Sequence, residues 1–195
     1  MEEKITYAPV ATTQVLQHLC RHFALLPESD ISKLIKLGIE NSKIEQDLKL
    51  VGSKFYSAPF PGIFSLTEYI DENWDEKKII SYDQKFLVSQ FTFKKSEYPN
   101  GIGNDGLISF DSLDADEISK VYKKKRESSI VNAYPTSKKF PTWEFIVVSQ
   151  TQPTHEIITI YPGTYAPPLP IDTMSPEVFK VCDEFWKVHA LIESI

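Results

Sequence analysis

The chain has 195 residues, with 42% hydrophobic and 25% charged side chains and a formal net charge of −6. This length and composition predict one globular domain with a continuous core, and they exclude a broadly disordered chain. The acidic balance argues against a protein whose whole surface binds nucleic acid, because phosphate binding depends on Lys and Arg. Residues 116–139 nevertheless hold seven basic and three acidic side chains. If RNA is a partner, we therefore expect it to bind through the basic segment 120–139.

The cysteines and the apolar runs predict the location of the protein. Cys20 and Cys182 are too few for a disulfide framework, and each lies within an apolar helical pattern. The first residues lack the basic region and apolar run of a secretory signal. No apolar stretch approaches the roughly 20 residues that cross a bilayer. We expect two buried thiols in a cytoplasmic protein that does not span a membrane.

Residues 1–76 carry mainly helical patterns. Thr12 or Thr13 can cap a first helix, and Ser29–Asp30 can cap a second one. A further short helix is predicted at 66–74, after a loop rich in proline and glycine.

Residues 77–165 carry strand patterns, in which β-branched and aromatic residues partly alternate with polar ones. The predicted strands cover 79–80, 86–93, 107–110, 130–134, 142–149 and 156–161. Short turns join the last three, which predicts an antiparallel meander. One helix interrupts the strands, because Asp114 and Glu117 form a capping box. This helix is expected to carry the basic run Lys123–Arg126.

Residues 166–195 begin with a proline-rich extended segment and end with a helix. Ser175 and Pro176 supply its cap and first turn, and its buried face is predicted to include His189 and Ile192. The complete pattern predicts an α+β single domain. It has N-terminal helices, a mostly antiparallel sheet of about five strands with one inserted helix, and a C-terminal helix packed on the sheet. An open mixed sheet is the alternative.

One predicted strand carries an unusual set of polar side chains. Because side chains alternate along a strand, His155, Thr159 and Tyr161 are predicted to share one face. An imidazole, a hydroxyl and a phenol suit proton transfer and the orientation of a phosphate. The alternative is the ordinary solvent-facing side of an antiparallel sheet.

Two basic groups flank the strand predicted at 130–134. The first is the run that contains Lys124 and Arg126, and the second is the pair Lys138 and Lys139. Both can contact phosphates from either side of that strand, although successive basic residues on a helix commonly face only solvent.

The remaining motifs predict neither a metal nor a cofactor. His18 and His22 have the spacing at which two imidazoles share a metal, but Cys20 points about 200° away from His18 around a helix. The glycine pattern at 101–106 leads into a strand rather than a helix, so it does not form a dinucleotide-binding loop. Two histidines on a polar helix face are the simpler interpretation.

Three strand motifs carry a family resemblance: IVNAYP at 130–135, TWEFIVV at 142–148 and IITIYPG at 157–163. They resemble the closing sheet of small metal-independent ribonuclease toxins, the group that spans barnase, EndoU, colicin nuclease and RelE-type folds. The resemblance covers residues 86–165. It implies helices packed on an antiparallel sheet with catalytic groups on the exposed sheet face. The predicted sheet lacks an arginine for the phosphate, so lysines would have to replace it.

Two functions follow as hypotheses. The first is RNA cleavage by in-line attack of a 2′-hydroxyl, with His155 as general acid or base and Thr159 or Tyr161 orienting the phosphate. In this mechanism Lys138 or Lys139 offsets the developing charge. The second is a non-enzymatic protein–protein interaction domain that uses the aromatic and proline-rich loops at 55–64 and 165–170.

Overall fold

The computed structural model describes residues 7–50, 52–82, 85–126 and 129–193. Within these residues there are six α-helices: α1 (Thr13–Leu19), α2 (Glu28–Lys36), α3 (Asn41–Leu48), α4 (Ile63–Glu72), α5 (Ala115–Ile118) and α6 (Pro176–Lys187). Short 3₁₀ turns lie at Cys20–His22, Trp74–Glu76 and Phe110–Ser112.

The same residues contain eleven strands, more than the five or so expected. They are β1 (Lys54–Phe55), β2 (Lys78–Tyr82), β3 (Phe86–Thr92), β4 (Gly103–Asn104), β5 (Leu107–Ser109), β6 (Tyr122–Arg126), β7 (Ser129–Pro135), β8 (Pro141–Thr142), β9 (Glu144–Gln150), β10 (Glu156–Pro162) and β11 (His189–Glu193). The α+β prediction is confirmed.

The strands form three sheets in the described part of the chain. The first sheet is antiparallel in the order β10-β9-β3-β2. The second sheet has the order β5-β11-β7-β6, and in it β11 runs parallel to β7. The third sheet joins the two-residue strands β1, β4 and β8.

One of the two caps predicted for the N-terminal helices forms. Thr12 caps α1, because its Oγ1 accepts a hydrogen bond from the N–H of Val15 at 3.4 Å. Asp30 has a different role from the predicted one. Its Oδ2 accepts from the N–H of Phe64 at 3.2 Å, so this buried carboxylate caps α4 rather than α2. Gly62 permits the approach, since a Cβ there would lie 2.2 Å from Asp30 Oδ2.

The main hydrophobic core lies between α1–α4 and the first sheet. Phe145 is at its centre, with the Phe91 ring stacked on it at a centroid distance of 4.9 Å. Phe55 and Phe60 pack edge-on against the same ring. A second cluster in the second sheet is much smaller, with the buried residues Ile108, Leu113, Tyr134 and Ala190.

The basic run lies on a strand, so the prediction that a helix carries it is wrong. The capping box forms, with the N–H of Glu117 donating to Asp114 Oδ1 at 2.8 Å, but α5 ends at Ile118. Residues 122–126 then pair antiparallel with β7 as β6. Pairing with a neighbouring strand outweighs the helix propensity of Lys and Arg. All five side chains of β6 are exposed.

The C-terminal helix is shorter than predicted. It ends at Lys187, and His189 and Ile192 belong to β11 instead of the buried face of a helix. β11 lies between β5 and β7, which satisfy its backbone hydrogen-bonding groups on both sides. The helix α6 itself packs on β7 and β11.

The predicted meander is divided between two sheets. β9 and β10 pair as expected, but β7 belongs to the second sheet. The register of β10 against β9 also shifts between Ile157 and Thr159. Such a bulge puts the side chains before and after it out of phase. Within the described ranges, no helix has the length and apolar character needed to cross a membrane.

Candidate functional site

A cleft of about 750 Å³, called the main cleft below, is lined from both large sheets. The first side comes from α1, the 3₁₀ turn after it and β10. The second side comes from β6, β7 and β11, together with the proline-rich segment 166–169. Four of the predicted site residues line it: Thr159, Tyr161, Lys124 and Arg126.

His22 forms part of the cleft wall as a neutral imidazole. Its Nδ1 lies 3.0 Å from the carbonyl oxygen of Ser53, which can only accept, so Nδ1 carries the proton and Nε2 is left as an acceptor. Burial lowers the pKa of His22 to about 3, and the Ser53 hydrogen bond only partly offsets this effect. His22 therefore stays uncharged at neutral pH.

His18 lies one helical turn before His22, with the two ring centroids 5.9 Å apart. Its Nε2 is 3.4 Å from the hydroxyl oxygen of Thr159, which links α1 to β10 at the cleft. Burial lowers the pKa of His18, and the nearby charge of Arg21 lowers it further. The result is a neutral imidazole beside a hydroxyl, an arrangement suited to accepting a proton.

Arg21 brings a positive charge to the same wall. Its Nε is buried and has no hydrogen-bond partner in the described residues. Nearby, the ammonium of Lys54 donates to three backbone carbonyls, including that of Arg21. Burial, followed by the charge of Arg21, lowers the pKa of Lys54 to about 8. Two cations this close to neutral imidazoles favour the entry of an anion.

Tyr161 places a phenol in the cleft opposite β6. Its hydroxyl oxygen accepts from the N–H of Ala166 at 3.4 Å, and its ring centroid is 6.4 Å from that of His22. Burial raises the pKa of Tyr161 to about 12, so the phenol keeps its proton at neutral pH.

Lys124 and Arg126 supply the cations of the opposite wall, from the exposed strand β6. Lys124 Nζ pairs with Glu193 Oε1 at 2.5 Å, and Tyr122 donates its hydroxyl to Glu193 Oε2 at 2.5 Å. These two hydrogen bonds lower the pKa of Glu193. The carboxylate of Glu193 therefore offsets part of the charge of Lys124.

His155 does not lie with Thr159 and Tyr161, so the predicted shared face is wrong. The bulge after Ile157 separates them, and His155 is only 7% exposed. Its Nε2 is 3.3 Å from Ser149 Oγ, and the Trp74 ring packs edge-on against it. Burial lowers its pKa. These contacts describe a core histidine.

The predicted lysine pair is also outside the main cleft. Lys138 Nζ lies 5.1 Å from the ring centroid of Phe140, and Lys139 is exposed. His18 and His22, the two histidines predicted to lie on a polar helix face, line the main cleft together with Arg21, which no sequence pattern singled out. Their spacing within one helical turn is the signal that the sequence carries, but only the docking of β10 and β6 makes them a site.

The two loops predicted for protein binding pack against other parts of the same chain. Phe55 and Phe60 belong to the main core. In the segment 165–170, the carbonyls of Pro167 and Pro168 accept from Nε1 of Trp186 at 3.2 Å, which holds the segment against α6 as a wall of the main cleft.

Metal ligands are not grouped at this site. Across 7–50, 52–82, 85–126 and 129–193, no cluster of three or more His, Cys, Asp or Glu side chains could hold a metal ion. Cys20, between the two histidines in sequence, is buried and its pKa is raised to about 11, chiefly by burial.

Comparisons with known proteins assign the chain to no family. No family model matches the chain, and no curated protein matches it significantly. Among solved structures, the chain is similar to a conserved hypothetical protein from Toxoplasma gondii ME49. The two are 13% identical, the match covers 69% of this chain and 88% of that chain, and the TM-score is 0.46.

Proposed function

We propose that this protein binds single-stranded RNA in the main cleft and cleaves it without a metal ion. The observation that supports this is the convergence of Arg21, Lys124 and Arg126 with His18 and Tyr161 in one cleft. Cations bind the phosphates, and the neutral imidazole and the protonated phenol supply the two partners for proton transfer.

The reaction needs only these groups. His18 removes the proton from a 2′-hydroxyl, whose oxygen attacks the adjacent phosphorus in line. The bond from phosphorus to the 5′ oxygen breaks, and the leaving oxygen takes the proton of Tyr161, because an alkoxide is a stronger base than a phenolate. The products are a 2′,3′-cyclic phosphate and a 5′-hydroxyl, and His18 then returns its proton to Tyr161 through solvent. Arg21 offsets the negative charge that develops on the phosphoryl oxygens.

His18 takes the role that the sequence suggested for His155. A general base must come within hydrogen-bond reach of the proton that it removes. His18 lines the cleft, whereas His155 is enclosed by Trp74, Ser149 and Tyr7. Thr159 keeps its proposed place beside the reacting groups, since its hydroxyl contacts His18.

The test is cleavage of an end-labelled oligoribonucleotide in EDTA, with DNA of the same sequence as the control substrate. We expect a 2′,3′-cyclic phosphate product from the RNA and no cleavage of the DNA, which lacks the nucleophile. His18→Gln should slow cleavage by about a hundred- to ten-thousand-fold. Lys180→Gln, which removes an exposed charge on α6, is the matched control and should cleave at the wild-type rate. Intact RNA, or a His18→Gln protein as fast as wild type, would show that the mechanism is wrong.

A further inference from the structure

A second cleft of about 500 Å³ adjoins the main cleft, and Asp105, Leu107 and Thr164 line both. The wall between them is tightly fixed. Asp105 accepts hydrogen bonds from the N–H of Leu107 and from the N–H and hydroxyl of Thr164, all at 2.8 to 2.9 Å. Gly163, at φ +116°, makes this possible, because a Cβ there would lie 2.3 Å from Asp105 Oδ1. A long, chain-like ligand that extends out of one cleft across this wall therefore enters the other cleft.

The second cleft offers aromatic rings with cations close to their faces. Trp143 is half-buried and its Nε1 donates to the carbonyl of Tyr98 at 2.6 Å, which fixes the plane of the indole. Lys95 Nζ lies 4.4 Å from the Trp143 ring centroid, and Phe140, which lines the same cleft, has Lys138 Nζ 5.1 Å from its ring centroid. Single-stranded nucleic acids are held by this combination, with bases stacked on rings and phosphates on nearby cations.

The acidic groups of the second cleft distinguish it from a phosphate site. Glu144 accepts a hydrogen bond from Gln90, and burial raises the pKa of both Glu144 and Asp105. An ionised carboxylate repels a phosphate, whereas the oxygen atoms of a carboxyl group readily accept hydrogen bonds from the amino groups on the edge of a base. The main cleft has the opposite balance, with Arg21, Lys124 and Arg126 in its walls.

We propose that the second cleft is a nucleobase subsite, in which one base of the bound RNA stacks on Trp143. This inference rests on the proposed RNA-binding function of the main cleft. The incoming base displaces the Lys95 ammonium from the indole face, and the ammonium then pairs with the neighbouring phosphate of the same strand. The aromatic platform is sequence-tolerant, because every base has a flat face, whereas the carboxyl of Glu144 favours bases with an exposed amino group.

The experiment measures the affinity of two labelled 2′-fluoro oligonucleotides of equal length by fluorescence anisotropy. One carries bases and the other is abasic, and neither can be cleaved because both lack the 2′-hydroxyl. Trp143→Leu should weaken binding of the base-containing strand by about five- to 150-fold. It should leave the abasic strand unchanged. Trp143→Phe keeps an aromatic face and should bind within about twofold of wild type. Phe86→Leu, at an exposed aromatic position of β3 outside the second cleft, is the matched control and should bind like wild type.

The other outcomes show whether the base subsite or the RNA-binding function is wrong. If Trp143→Leu binds both strands like wild type, or weakens both equally, the base subsite is wrong while the RNA function stands. If Trp143→Phe is as weak as Trp143→Leu, the loss belongs to the missing hydrogen bond to Tyr98, and the stacking subsite is again wrong. If neither strand binds the wild-type protein, the RNA function itself is wrong, and the subsite falls with it.

Discussion

The two large sheets of this protein hold their polar groups in opposite ways. The first sheet is covered by α1–α4 and packs an aromatic core, so the histidines at its margin are half-buried and neutral. The second sheet has four buried apolar residues in its cluster, and its edge strand β6 exposes its basic side chains to solvent. Burial tolerates neutral imidazoles but not free charges, whereas an exposed edge tolerates charges. The cleft between them combines the neutral imidazoles and Arg21 of one wall with the exposed cations of the other.

The largest effect expected from this comparison is on core stability. Phe145→Ala removes a fully buried ring that contacts Phe55, Phe60 and Phe91. We expect it to lower the free energy of unfolding by about 3–5 kcal/mol, measured by urea denaturation. Leu113→Ala, in the small cluster of the second sheet, should cost about 2 kcal/mol, at the low end for leucine.

The ratio of these two losses is the critical quantity. Leu113→Ala costing as much as Phe145→Ala would contradict the view that the second sheet is the less densely packed region. Phe145→Leu serves if Phe145→Ala does not fold, because it retains part of the buried volume and should fall between wild type and alanine.

Local signals in the sequence predicted the parts of the fold that depend on neighbouring residues. Thr12 does cap α1, the box of Asp114 and Glu117 does form, and β9 and β10 do pair. Each of these features is determined within a few residues of the chain, where capping and turn chemistry act directly.

Features that depend on distant partners were not predictable in the same way. β6 and β11 are strands because β7 pairs with both, which overrides the local helical pattern of each. The site has the same origin: His18 and Thr159 are 141 residues apart and meet only in the folded protein. The bulge after Ile157 has no sequence signal, yet it decides that Thr159, and not His155, shares a surface with the cleft.

A second, smaller effect concerns the pH dependence of stability. The folded state keeps His22 neutral, with a pKa of about 3, while the unfolded chain has the ordinary value near 6.5. Below pH 6.5 the unfolded state therefore binds more protons, and stability is lost as the pH falls toward 3. For one histidine this amounts to up to about 1.4 kcal/mol per pH unit.

His22→Gln isolates this contribution. We expect the variant to be less stable than wild type at pH 8, because glutamine fits the imidazole site imperfectly. Between pH 6.5 and 5 the wild type should lose about 1.6 kcal/mol that the variant does not lose, so the difference in stability between them narrows. Urea denaturation at a series of pH values measures both slopes. Parallel slopes would mean that His22 is not held neutral by the first sheet.

The smallest expected effect on stability, and the most specific effect on binding, comes from the exposed edge of the second sheet. Lys124 pairs with Glu193 across a solvent-exposed surface, where ion pairs contribute little to folding. Lys124→Gln should therefore leave the thermal midpoint unchanged within measurement. Removing the Lys124 charge should still reduce the salt dependence of RNA binding, because each phosphate contact on a single strand contributes about 0.7 to the slope of log affinity against log salt. A slope lowered by about that amount, with Lys180→Gln retaining the wild-type slope, identifies Lys124 as a phosphate contact.

Glu193→Gln, which frees the Lys124 ammonium, should tighten RNA binding in the same assay. A clear fall in thermal stability with an unchanged slope would mean that Lys124 holds β6 in place rather than binding RNA, and the view of β6 as an exposed, phosphate-binding edge would then be wrong at this residue.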